Sequence, residues 1–194
     1  MTGTNLAAEF SVTVRAIHQH HLDHITALGV SGAALVAIGL IGVAAIETDR
    51  HGLYQPADHG RPALIVAAWD RPPIRPDGSV AWDAVPVDLV AVRTDDPGRW
   101  WLRRGSVCLL GDHMIDYYVL GADPVRVHRD PIAWLRAGGD GVVVLEDDGY
   151  DILANLPAGL VAEDVEHGER IKARLARPFK TPPIFIAETV RTAA

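Results

Sequence analysis

Apolar and polar positions alternate along this chain in two rhythms, one in each part. Over residues 10–28, Phe10, Val14, Ile17, Ile25 and Leu28 recur at helical spacing and predict one amphipathic helix. Gly29 breaks it, and Ser31 is a fair N-cap for a short apolar helix reaching Ile38. The pattern then turns to extended runs. Residues 41–48, 63–69, 87–94 and 99–104 read as strands, with Asp95-Asp96-Pro97-Gly98 as a hairpin connection. Residues 49–62 and 71–79 read as turn-rich loops. Shorter extended segments are expected at 107–110, 114–120 and 125–128.

From Asp130 the rhythm becomes helix, strand, helix. Asp130 and Pro131 have the chemistry of a helix start, and Gly138-Gly139 that of a helix exit. Residues 142–145 (Val-Val-Val-Leu) are the apolar, β-branched run of a strand covered on both faces. Residues 160–162 read as a short strand, and Asp164 caps a helix running to about Arg177 that Pro178 closes. A final strand is expected at 183–187. The expected fold class is α+β: N-terminal helices, a largely antiparallel sheet, then a C-terminal β-α-β layer with right-handed crossovers. No linker interrupts 1–194, so one domain is expected, with 1–128 and 129–194 as the alternative subdomains.

Composition narrows the class. A hydrophobic fraction of 48% with 22% charged residues excludes a disordered chain. The net charge of −7 disfavours a general nucleic-acid surface. Cys108 is the only cysteine, so no intrachain disulfide forms, which fits a cytoplasmic location. Residues 28–46 carry no charge, but four glycines and the lack of interfacial anchors favour a buried helix, turn and strand over a membrane span. A cleaved signal peptide is not expected, because the preceding helix is polar and poor in positive charge. Helix, Leu-Gly-Val-Ser, helix is also the layout of a helix-turn-helix reader. The second helix here offers no base-reading side chain beyond Ser31.

Three groups of residues carry candidate chemistry. Glu146, Asp147 and Asp148 follow one late strand, and Glu163 and Asp164 follow the next. Parallel neighbours would bring both sets to one sheet edge, where carboxylates can hold Mg²⁺ for phosphoryl transfer. Otherwise the first set is a turn and Asp164 a cap. His20 and His24 stand one helical turn apart, a spacing suited to Zn²⁺, with His21, Asp23, His51 and His59 as further candidate ligands. Arg99, Trp101, Arg103 and Arg104 are candidate binding residues. On a strand Trp101 and Arg103 share a face opposite Trp100 and Leu102, presenting an aromatic ring beside guanidinium to a partner. The competing arrangement has Arg103 covering Trp101 by a cation–π contact. No Ser/His/Asp order, P-loop or Cys-x-x-Cys motif is present.

The acidic pattern resembles the carboxylate cluster of Toprim-type nucleotidyl-transfer domains, which implies Mg²⁺-dependent phosphoryl transfer. The chain departs from that family in lacking the Asp-x-Asp element and a glutamate on a separate upstream strand. Residues 88–93 (Asp-Leu-Val-Ala-Val-Arg), 99–105 (Arg-Trp-Trp-Leu-Arg-Arg-Gly) and 130–138 (Asp-Pro-Ile-Ala-Trp-Leu-Arg-Ala-Gly) are similar to short bacterial proteins of unknown function associated with prophages and plasmids. This resemblance implies an accessory role on a mobile element and carries no activity with it. The leading expectation is a non-enzymatic protein, without a cofactor or membrane attachment. It binds a protein partner or a second copy through the Arg/Trp surface, with nucleic acid the less favoured partner. The alternative is the Mg²⁺ enzyme.

Overall fold

Asn5 begins the first helix of the computed structural model, which describes residues 5–38, 41–70, 84–93, 95–96, 98–157 and 159–176. Its side chain accepts a hydrogen bond from Ala8 N at 3.1 Å and starts α1 (Leu6–Arg15). The single helix expected over 10–28 is divided. His18 is extended, its amide donates to His21 Nδ1 at 3.0 Å, and α2 (Gln19–Ala27) starts there. An imidazole performs the role usually taken by a capping carboxylate, so the ordinary start signals are missing from the sequence. Ser31 Oγ accepts from Ala34 N at 3.1 Å and caps α3 (Gly32–Ile38). That helix buries Ala34 and Ile38 but leaves Val36 exposed, so it lies at the surface with one face inward.

Five antiparallel strands follow: β1 (Ile41–Thr48), β2 (Tyr54–Pro56), β3 (Arg61–Trp69), β4 (Pro86–Val92) and β5 (Trp100–Leu102), in the order β2-β1-β3-β4-β5. The charge-free stretch is thus divided between α3 and β1, and no described helix is long and apolar enough to cross a membrane. β2 falls inside the segment read as a loop. Asp49 folds the chain back by accepting from the amides of His51 and Leu53, bringing the three residues of β2 alongside β1. α1 lies on one face of this sheet, with Leu6 and Phe10 over Ile65, Leu89 and Ala91. The approach is close at Gly42, where an added Cβ would stand 2.0 Å from Thr13 Oγ1.

The other face of the sheet meets a second layer made of β6 (Leu109–Leu110), β7 (Val125–His128), β8 (Val142–Val144) and β9 (Leu160–Val161). Their order is β6-β8-β7-β9; β8, β7 and β9 run parallel, and β6 is antiparallel to β8. After β6, residues 114–120 are not extended. A 3-10 turn (Asp112–Met114) leads into α4 (Ile115–Gly121), whose Ile115 and Tyr118 pack on the second sheet. The β-branched and aromatic side chains favour a strand locally, and packing one turn apart overrides that preference.

α5 (Pro131–Arg136) joins β7 to β8. Asp130 accepts from Ala133 N at 2.8 Å, and Gly138 and Gly139 leave the helix at φ 71° and 81°. Its Ile132, Trp134 and Leu135 are buried against Leu64, Val66, Val90 and Val143, so one apolar cluster is shared by both sheets. Each such side chain contributes about 1.5–3 kcal/mol by burial. The acidic turn after β8 continues into a helix not read from the sequence, α6 (Asp148–Ala154). Gly149 permits it, since a Cβ there would stand 2.7 Å from the Cys108 carbonyl. α7 (Val165–Leu175) follows β9, capped by Asp164 through His167 N at 2.9 Å. Cys108 is half-buried, and burial pushes its thiol up. The expected loop at 71–79 and the expected final strand lie wholly outside the described residues, as do Pro178 and Gly39.

His113, in the 3-10 turn, has a buried Nδ1 without a partner among the described residues, and burial pushes the ring down to about 4. The unfolded chain takes up this proton below about pH 6.5, whereas the folded one resists it. Neutral His113 therefore contributes its full stability above pH 6.5 and loses it as the pH falls toward 4. The urea midpoint is expected to drop through this window. His113→Gln should make that slope shallower; an unchanged slope would remove His113 as its source.

Candidate functional site

β5 is an edge strand, and its alternation sends two neighbouring tryptophans to opposite faces, as the sequence implies. Trp101 lies on the α1 side. α1 has 10 residues, about 15 Å, and leaves the far half of that face uncovered. There Arg61, Arg93, Arg99, His59 and Trp101 surround a floor of Ile46 and Ala63, enclosing a groove of about 530 Å³. Arg93 pairs with Asp95, and Arg99 Nε stands 3.3 Å from Asp96, both of that second pair well exposed.

Arg103 shares the face of Trp101 but does not join the groove. Its Nε donates to Glu9 Oε1 and Oε2 at 2.8 and 3.1 Å, and its guanidinium sits 5.8 Å from the Tyr54 ring centre. The pair is only 12% and 15% exposed, so Arg103 fastens α1 to the sheet. The cation–π contact is therefore with Tyr54, not with Trp101. Arg104 is exposed in the turn after β5, outside the groove lining. Arg61 and Arg93, at the ends of β3 and β4, are members that sequence reasoning missed; His59, read as a candidate metal ligand, comes from the turn before β3.

The late acidic residues behave differently from the Mg²⁺ expectation. β8 and β9 do run parallel, so Glu146, Asp147 and Asp148 share an edge with Glu163 and Asp164. However, β7 lies between them, a separation of about two strand spacings, roughly 10 Å. The end of β7 presents His128 and Arg129 instead. Arg129 pairs with Asp164, and its Nε lies 3.4 Å from Glu163. Asp147 accepts from Arg174 Nη1 with both oxygens at 3.0 Å. Glu163 faces His128 Nδ1 at 3.1 Å, while His128 Nε2 donates to the Asp140 carbonyl at 2.8 Å. Among the described residues no group of three or more His, Cys, Asp or Glu side chains is placed to hold a metal ion. Asp147, Glu163 and Asp164 face Arg174, His128 and Arg129 and are not gathered as ligands.

The same holds for the histidines. His20 and His21 have ring centres 3.8 Å apart, and with His24 they border an apolar groove over Val43 and Leu64. Burial, then the neighbouring imidazoles His20, His18 and His24, lower the pKa of His21. His51 accepts from Arg50 Nε at 3.1 Å, and His59 belongs to the outer groove, so neither loop residue reaches α2.

Between the two sheets, at the carboxyl edge of β7 and β8, lies a cleft of about 390 Å³. Trp100 borders it, with its Nε1 donating to the Leu145 carbonyl at 3.3 Å; Arg129, Glu146 and Asp147 at the strand ends, Tyr150 of α6, and His167, Arg170 and Arg174 of α7 also line it. His167 Nδ1 accepts from Glu163 N at 3.4 Å, and burial is the main cause holding its pKa below the usual value. The neutral ring therefore carries its proton on Nε2. Tyr150, His167, Arg170 and Arg174 were missed because the residues of α6 were read as a turn and nothing in local spacing tells which sheet edge the α7 face meets. Comparison of the chain with protein-family models, curated proteins and solved structures found no match.

Proposed function

We propose that the protein is a non-enzymatic binding module that seats an acidic segment of a protein partner in the outer groove. The observation that carries this reading is the convergence of Arg61, Arg93, Arg99 and Trp101 on the half of the sheet that α1 leaves open. Guanidinium groups recognise carboxylates in paired geometry, and an aromatic ring among them supplies contact area at low entropic cost. The net charge of −7 favours a protein segment over a long nucleic acid, whose phosphates the rest of the surface repels. It also makes a second copy one source of such a segment. An accessory role on a mobile element is part of the same proposal and rests on the sequence resemblance of residues 88–93, 99–105 and 130–138 alone.

The test is fluorescence anisotropy with a labelled Glu/Asp-rich peptide and, in parallel, a labelled single-stranded oligonucleotide. The peptide should bind, weaken with salt, and lose about tenfold or more in affinity with Arg61→Glu or Trp101→Ala. Tighter binding of the oligonucleotide, or peptide binding indifferent to both substitutions, would overturn the reading.

A further inference from the structure

The second cleft is separate from that groove and has a different chemistry. His167, Arg170 and Arg174 occupy positions i, i+3 and i+7 of α7 and so share one helix face. Arg174 spends Nη1 on Asp147, which fixes the guanidinium over the Tyr150 ring at 5.9 Å; among the described residues Nε and Nη2 have no acceptor. Arg170 makes no hydrogen bond among the described residues, its nearest ion pair being Glu166 at 4.0 Å. His167 is only 6% exposed, and no described group accepts from its Nε2. Three donors on one face, two of them charged, suit a group with several anionic oxygens better than a single carboxylate.

The rest of the lining includes aromatic and acidic residues. Trp100 is fixed by its bond to Leu145, and Tyr150, on α6 beside the Arg174 guanidinium, is the second aromatic residue of the lining. Glu146, at the end of β8, is exposed and without a side-chain partner among the described residues. An anion alone would gain nothing from that carboxylate, whereas a sugar hydroxyl donates to it. The cleft also stands where parallel strands end, the usual place for ligands in such layers, and its size falls within the range of small-molecule sites, about 300–1,000 Å³. We propose that it binds a nucleoside monophosphate: phosphate on Arg170, Arg174 and His167, base against the aromatic lining of Trp100 and Tyr150, and ribose on Glu146.

Calorimetric titration of the full chain with AMP, GMP, CMP and UMP tests this, with adenosine and inorganic phosphate as reference ligands. At least one nucleotide is expected to bind about tenfold tighter than either reference. Arg170→Ala, at an exposed position, should weaken it by about tenfold and leave the thermal midpoint unchanged. Glu146→Gln should weaken the nucleotide but not phosphate. Arg61→Glu, in the outer groove, should change nothing, so this site and the peptide groove fail independently. No nucleotide binding at millimolar concentration, phosphate or nucleoside binding as well as the nucleotide, or an Arg170→Ala variant with full affinity would each overturn the assignment.

Discussion

Asp88→Asn is expected to destabilise the protein by about 2–4 kcal/mol, read as a lower urea midpoint at unchanged slope. Asp88 lies within β4 and is fully buried, and four hydrogen bonds converge on it. Oδ1 accepts from Leu89 N at 2.8 Å and Arg104 N at 2.9 Å; Oδ2 accepts from Ser106 N at 2.8 Å and Ser106 Oγ at 3.1 Å. The carboxylate thus organises the turn that carries the chain from β5 toward β6, and so from one sheet to the other. An asparagine keeps one accepting oxygen and turns an N–H2 group toward donors, leaving a buried amide unsatisfied. A change within about 0.5 kcal/mol, the range of an ordinary surface substitution, would show that the turn holds without Asp88.

Arg103→Ala should cost about 2–4 kcal/mol, because it strands the Glu9 carboxylate under α1. Both partners are more than four-fifths buried, and the guanidinium also covers Tyr54, whose hydroxyl has no partner among the described residues and whose pKa burial raises. Glu9→Ala combined with Arg103→Ala should cost less than the sum of the two single changes, since the second removes a charge the first has left unpaired. Arg99→Ala, four residues away on the exposed rim, should change stability by no more than about 0.5 kcal/mol. Chemical denaturation of the four variants separates these outcomes; additivity of Glu9 and Arg103 would mean that they act independently. A Trp101/Arg103 double substitution is for this reason a poor probe of binding, since half of it attacks the fold.

The two clefts differ in how much of them was legible. Trp100 and Trp101 point to opposite faces because strand alternation is a local rule, and Arg99 follows from the same rule. Arg61, Arg93, Arg170 and Arg174 belong to segments distant in sequence, and nothing in their local spacing says which face of which sheet they reach. The acidic strand ends were readable as sharing an edge. Their partners were not, because β7 enters the sheet between β8 and β9 and brings Arg129 with it, while α7 returns Arg174 to Asp147.

Local chemistry by itself determined the α+β class, β1 and β4 to within a residue or two, the Asp130-Pro131 helix with its glycine exit, and the Asp164 cap. Each of these is written in adjacent residues: a β-branched run, a capping carboxylate, a left-handed glycine. Tertiary structure decided the break between α1 and α2, the helical state of 115–121, the start of α6 beside Cys108, and the ion pairs that take up the carboxylates. There the local preference was weak or pointed elsewhere, and the choice fell to contacts between side chains many residues apart, which only the packed sheets bring together.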